Sequence, residues 1–333
     1  MINIYIGLSK NQISSYERII EINKSSKNIL ISNKTLKINT LSWDEVIYAN
    51  NTFNNQSNNT LSAIKNIILK IKQYKKIIKK LSKYKNCKKV TLYFTYVEDI
   101  LTNYLLLTFN KNVKGIVVED GTLNYYSHTI KSLSKKKVFL KWFLSNFYGV
   151  RFKFYKGHSS GIELSNVTKQ YVRMPKLSLF PEKSEKLPFP SKSVRLTNSA
   201  LIIGQEGYIN QYGEKRYYKS LEEMIDLINF HATKKPFDKI YYKPHRNGKR
   251  VNLEWLNKKI QNIIYLESDV SLEDLYFDTL GSKAIYSFDS SALLNIFLEL
   301  EEKQRNKLTF NILLRYNILL EPVFRKFKFN IYQ

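Results

Sequence analysis

Short runs of Ile, Val, Leu and Tyr alternate along this chain with longer stretches in which apolar residues recur every three or four positions. Residues 2–6 (Ile-Asn-Ile-Tyr-Ile) predict a first strand, 9–22 a helix and 29–32 a second strand. Residues 50–60, rich in Asn, Ser and Thr, read as a surface loop. From 61 to 85, Ile64, Ile67, Ile68, Ile71, Tyr74, Ile77, Ile78 and Leu81 keep helical spacing, with lysines on the other face. Strands follow at 90–96 and 116–118, with a helix at 98–108 between them. Strand and helix in alternation predict a parallel sheet covered on both faces.

Pro175, Pro181, Pro188 and Pro190, mixed with Lys, Ser and Glu, predict a linker between two domains. The alternation then restarts: strand 201–203 ending in Gly204, helix 219–231, strands at 239–242, 263–266 and 284–286, and a helix at 291–301. The last segment, from 308, reads as helical up to Pro322. The division is therefore set at residues 1–190 and 191–333, two α/β halves expected to flank a ligand cleft.

Composition adds limits. The 333 residues suffice for two domains, and 43% hydrophobic content with 11 Gly and 7 Pro is that of a globular chain. Cys87 stands alone, so no internal disulfide can form and a reducing compartment is expected. The opening residues read as a strand rather than a leader, and no apolar run is long enough to span a membrane. With 54 Lys+Arg against 28 Asp+Glu the net charge is +26, which calls for a polyanionic partner: nucleic acid, an anionic membrane or a charged substrate. Lysine, isoleucine and asparagine all rise in AT-rich coding sequence, so the charge is supporting evidence only.

Two polar patterns follow strands where open α/β sheets place ligands. Glu119-Asp120-Gly121 ends the run Gly115-Ile116-Val117-Val118, and Lys243-Pro244-His245 ends the run Lys239-Ile240-Tyr241-Tyr242. The Glu119-Asp120 pair offers a carboxylate as general base and His245 a proton donor, with Lys243 and Arg246 to screen a departing phosphate. The same residues also suit a tight turn and a basic surface loop. Ser290 and Ser291 open a helix and supply an anion site or an ordinary cap. Glu267, past the strand at 263–266, suits a ribose hydroxyl or a solvated loop, and Gly204 permits close approach to the backbone. No Walker loop, Rossmann glycine fingerprint, paired-Cys metal pattern or Asp-x-Asp element occurs. His158-Ser159-Ser160 reads as a loop.

Taken together, an acidic pair before Gly121, a His–Pro element at Lys243-Pro244-His245 and the Ser290-Ser291 pair, in that order, resemble the bacterial sialyltransferases that cap lipooligosaccharides and capsules (glycosyltransferase family 52), which are related to the bacterial polysialyltransferases. The departure is that proline precedes the histidine, which is followed by Arg246. The resemblance implies a GT-B fold, two Rossmann-like domains facing a central cleft. Residues 1–190 would form the acceptor-side domain with the general base, and 191–333 the domain that binds the CMP-sugar. It implies an inverting, metal-independent transfer of N-acetylneuraminic acid from CMP-Neu5Ac, with no cofactor, to a glycan hydroxyl, terminal galactose being the family's commonest target. By carry-over Asp120 is the base and His245 serves the departing phosphate. Ser290 and Ser291 bind that phosphate, Glu267 the ribose, and Gly204 and Lys243 the cytosine region, with Glu119, Gly121 and Arg246 in support. A lipid-linked acceptor implies work at the inner face of a bacterial cytoplasmic membrane, with basic segments 70–89, 131–151 and 325–328 as candidates for contact with anionic lipid. A homodimer is compatible with this picture. The rival readings are a polysialyltransferase or another CMP-sugar GT-B enzyme and, from a different class, a basic nucleic-acid-binding protein. No nucleic-acid motif supports the last, and no nucleic-acid partner is expected.

Overall fold

The computed structural model describes residues 1–22, 26–36, 38–49, 60–129, 135–245, 250–266 and 270–333, without the side chains of 60–63 and 137. The chain divides into two compact units, Met1–Phe189 and Pro190–Gln333.

The first unit holds strands β1 (Ile2–Gly7), β2 (Lys27–Asn33), β3 (Glu45–Ala49), β4 (Val90–Phe94), β5 (Val113–Val118), β6 (Val167–Val172) and β7 (Ser184–Lys186), in the sheet order β3-β2-β1-β4-β5-β6-β7. Every pairing is parallel. Helices α1 (Lys10–Ile22), α2 (Thr60–Leu81), α3 (Ile100–Tyr104) and α4 (Lys135–Phe147) make the crossovers. Successive strand side chains point to opposite faces, so each strand feeds two cores. Ile4, Ile31, Leu92 and Val117 join the layer that contains Ile71 and Ile77 of α2. Tyr5, Leu30, Tyr93 and Ile116 join the layer that contains Ile13 and Ile19 of α1. Burial on both faces is why these strands read as nearly continuous apolar runs.

The second unit repeats the plan with β8 (Thr197–Ile203), β9 (Lys239–Lys243), β10 (Ile263–Tyr265), β11 (Ser282–Ser287), β12 (Thr309–Leu313) and β13 (Asn330–Tyr332), ordered β10-β9-β8-β11-β12-β13 and again all parallel. Its helices are α5 (Gly207–Tyr212), α6 (Glu214–Lys234), α7 (Leu253–Lys259), α8 (Leu272–Leu275), α9 (Ser291–Glu299), α10 (Glu302–Arg305) and α11 (Glu321–Lys326). In each unit one short helix ends in a π-helical turn just before a strand: α3 in Leu105–Phe109 before β5, and α8 in Tyr276–Leu280 before β11. Both sheets reverse direction of winding beside their first strand, β1 against β4 and β8 against β11, the switch points of a doubly wound fold.

Two expectations need correction. Most of the proline-rich stretch is not a linker: only Pro188 and Pro190 lie at the division between the units, and 3-10 turns at Pro175–Leu177 and Pro181–Lys183 lead into β7, which closes the first sheet. Proline is tolerated there because each occupies the first position of its turn. The end of the chain is not helical up to Pro322, since 309–313 is β12 beside β11, and Pro322 lies inside the first turn of α11. An apolar run such as Leu308-Thr309-Phe310-Asn311-Ile312-Leu313-Leu314 does not reveal its period when both faces are buried. His158-Ser159-Ser160 lies in a loop as expected, and all three residues are buried. The loop expected at 50–60 lies, through residue 59, outside the described residues.

Candidate active site

Asp120 stands two residues past β5, and Gly121 after it takes φ 68°, a left-handed turn that favours glycine. Its neighbour Glu119 is buried and fully used. Glu119 accepts from the Tyr125 hydroxyl at 2.6 Å, from the Arg173 backbone N–H at 2.6 Å and from Arg173 Nε at 2.7 Å. This clasp ties the loop after β5 to the end of β6 and leaves Asp120 as the carboxylate that faces outward. Asp120 accepts a hydrogen bond from Gln12 Nε2 at 2.7 Å. Gln12 is itself buried, and its Oε1 accepts from the Leu8 N–H at 2.8 Å, so α1 holds the donor rigidly at the β1–β4 switch point.

Asp120 is exposed by surface area, yet protein crowds its carboxyl on the remaining sides, and desolvation raises its pKa. The two facts concern different properties: open surface lets a solute reach the group, and crowding sets how tightly it holds a proton. The Glu119 charge adds to the rise, while Gln12 and Arg173 oppose it. A reachable carboxylate with raised proton affinity is suited to general-base work.

In the second unit another buried glutamate, Glu206, organises the candidate residues. It follows β8 and is 0% exposed. Its Oε1 accepts from the Tyr242 hydroxyl at 2.6 Å and its Oε2 from the His245 backbone N–H at 2.7 Å. Tyr242 lies 3.3 Å from the Tyr217 hydroxyl, which in turn accepts from the Gln205 N–H at 3.2 Å. Gly204 donates its N–H to the Lys243 carbonyl at 2.9 Å. A Cβ on Gly204 would come within 2.6 Å of Glu206 Oε1 and 2.7 Å of the Tyr242 hydroxyl, so glycine is what lets the carboxylate fold back. Burial raises the Glu206 pKa, against the pull of its hydrogen bonds and of the Lys243 charge. Lys243 is buried and His245 exposed.

Ser290 caps α9, its Oγ accepting from the Ala292 N–H at 3.2 Å, and Ser291 opens the first turn exposed. Asp289, 5% exposed, accepts from the Tyr208 hydroxyl at 2.6 Å and donates its N–H to Gln205 Oε1 at 3.0 Å. That bond crosses the β8–β11 switch point, so Gly204, Lys243 and His245 share a hydrogen-bonded assembly with Asp289, the residue that precedes Ser290. Tyr208 also stacks on Tyr316 with ring centroids 4.3 Å apart. Arg246 and Glu267 lie outside the described residues.

Sequence reading missed Gln12, Arg173, Glu206 and Tyr208, whose only signal is position just past a strand or within the first turn of a helix, and Tyr242, which sits inside β9. It also missed a cluster beside Asp120's loop. His158 Nε2 donates to the Tyr126 carbonyl at 3.0 Å, so its Nδ1, 2.7 Å from Ser160 Oγ, accepts. Burial lowers the His158 pKa, in keeping with this neutral tautomer. His128 Nδ1 pairs with Ser159 Oγ at 2.8 Å. These bonds lock the loop after β5 onto the loop before β6.

Comparison by sequence finds no matching family model and no matching curated protein. Solved structures do match. The glycotransferase of kitacinnamycin aligns with 100% of this chain and 85% of its own, at 8% identity and a TM-score of 0.56. The GT-B domain of the Photobacterium damselae sialyltransferase aligns over 98% of this chain and 96% of that one, at 14% identity and a TM-score of 0.53. CalG4, the calicheamicin glycosyltransferase, covers 99% of this chain and 84% of its own, at 8% identity and a TM-score of 0.51. Identities this low speak to architecture alone. Two doubly wound parallel units in one chain, matched end to end by glycosyltransferases of that architecture, give this protein the GT-B fold.

Proposed function

We propose that this protein is an inverting, metal-independent sialyltransferase that moves N-acetylneuraminic acid from CMP-Neu5Ac to a glycan hydroxyl, terminal galactose of a capsular or lipooligosaccharide chain being the first acceptor to try. The observation that carries the reading is Asp120: a reachable carboxylate past β5, steadied by one neutral donor and raised in proton affinity, while adjacent Glu119 is committed to Arg173. The order of the acidic, histidine and serine elements supports the donor class.

In this reading Asp120 takes the proton of the acceptor hydroxyl as its oxygen bonds to the anomeric carbon. The bond from that carbon to the phosphate oxygen breaks, and CMP leaves with the electron pair, hydrogen-bonded or protonated by His245. Ser290, Ser291 and the N-terminus of α9 bind the phosphate. Glu267 takes the ribose, and Gly204 and Lys243 the cytosine region. Glu119 and Gly121 shape the base's loop, and Arg246 adds positive charge. The site needs no cofactor beyond the donor sugar itself.

The test is acceptor-dependent release of CMP from CMP-Neu5Ac, with product analysis for linkage and chain length. Asp120→Asn and His245→Ala are expected to fold, to bind CMP within about tenfold of wild type and to lose about 10²–10⁴ in turnover. Full turnover in Asp120→Asn removes the base assignment. Transfer from another nucleotide sugar in place of CMP-Neu5Ac removes the donor assignment.

A further inference from the structure

We propose that helix α4 is a membrane-docking element that lays a ladder of phenylalanines into the surface of an anionic bilayer. The inference goes beyond the proposed reaction and does not depend on it.

Phe139, Phe143 and Phe147 are 58%, 49% and 74% exposed. They recur every fourth residue, which puts them in one line along the helix. Adjacent rings stack at centroid distances of 6.3 and 6.2 Å. Phe154, 57% exposed, extends the patch by stacking on Trp142 at 5.7 Å. Four of the five exposed phenylalanines among the described residues thus lie on this one surface. The ladder is not the packing face of α4, because Val138, Leu144 and Ser145 on the opposite side are the buried residues. A helix apolar on both sides, with one side already in the core, has a second apolar medium to meet.

Charge identifies that medium. Residues 121–162 contain eight Lys or Arg and no Asp or Glu. Lys135 and Lys136 are exposed on the ladder's side of the helix, and Arg151 and Lys153 are exposed beside Phe154. A second copy related by a two-fold axis would bring these cations against their own equivalents, with no acid in the segment to offset them. Anionic lipid headgroups complement them, and the acyl boundary accepts the rings. No described helix is long and apolar enough to cross a membrane, so contact through α4 is contact in the plane of the surface. The other basic segments differ. Ile71, Tyr74, Ile77 and Leu81 in segment 70–89 are buried, as are Phe324, Phe327 and Phe329 of the tail, so those segments offer a membrane little besides their cations.

The experiment is co-sedimentation with vesicles of phosphatidylcholine, with and without phosphatidylglycerol. Wild type is expected to sediment with the phosphatidylglycerol vesicles and to be released by salt. The triple variant Phe139→Ser, Phe143→Ser, Phe147→Ser, whose substitutions are all on exposed residues, is expected to keep its thermal midpoint and to lose about a hundredfold in partitioning. Lys135→Glu with Lys136→Glu is expected to lower binding at low salt, and the Trp142 fluorescence of wild type to shift to the blue on binding. Equal partitioning of the triple variant, or no binding by wild type, overturns the proposal. So does a wild-type dimer that the triple variant turns into monomer, since the ladder would then be a subunit interface. Turnover on a lipid-free acceptor is measured in parallel. It is expected to match wild type in the triple variant, so failure of docking and failure of the reaction reading are told apart.

Discussion

Glu119 and Glu206 do the same work in different ways. Each follows a strand of its own parallel sheet, each is buried, each accepts a tyrosine hydroxyl at 2.6 Å, and each takes a backbone N–H from the end of a neighbouring strand. Both thereby fasten two strand-end loops that carry candidate chemistry. The difference lies in the third partner. Arg173 Nε sits 2.7 Å from Glu119, with side-chain exposures of only 11% and 0% for the pair, whereas the Tyr242 hydroxyl and His245 N–H that Glu206 accepts from are both neutral, and its pKa is raised by burial. The ion pair holds Glu119 by charge as well as by hydrogen bonds. The Glu206 carboxyl, pushed up by burial against its hydrogen bonds and the nearby Lys243, gives a clasp that answers to pH. On this comparison the loop bearing Asp120 is tied by an ion pair, and the tie on the loop bearing His245 depends on pH.

The largest expected effect comes from breaking the first clasp. Arg173→Met leaves Glu119 buried without its cation and is expected to cost about 3–5 kcal/mol, read as a lowered midpoint in urea unfolding. A loss below about 1 kcal/mol would show that the pair is not the anchor described here. Next is Glu206→Gln, which keeps one carbonyl acceptor for two donors and is expected to cost about 1–3 kcal/mol at low pH. Its pH dependence sharpens the comparison. A glutamate with a raised folded-state pKa contributes stability that is complete below the unfolded value and is lost as pH rises through the folded one. Wild type should therefore lose stability across that window, and Glu206→Gln should flatten the loss; parallel curves would remove Glu206 as the titrating group. The smallest effect is expected from Gln12→Leu. Loss of its hydrogen bond to ionised Asp120 raises that pKa further, so the acidic limb of the kcat/KM profile moves upward while the midpoint of unfolding changes little. An unmoved limb would mean that Asp120 is not the group being titrated.

Much of the fold was legible because buried parallel strands and amphipathic helices leave different periods in the chain. Strands β1, β8 and β11 and helix α2 were read within a few residues of their bounds. Strand β7 and the last three elements were not, since a strand of three residues and an apolar run buried on both sides carry no period to detect. Reading residues for chemistry located Asp120, His245 and Ser290 at strand ends and helix caps, where they are. It could not separate Glu119 from Asp120, which stand side by side in the same pattern.

The chain alone determined two successive parallel α/β units and the short list of polar groups at their strand ends, because alternation and turn chemistry are local properties. Only the tertiary structure decided which of those groups are committed and which are open. Gln12 reaches Asp120 across 108 residues, Arg173 reaches Glu119 across 54, and Tyr242 reaches Glu206 across 36. Hydrogen bonds between residues so far apart depend on sheet order and register, and those arise from burying both faces of each sheet at once.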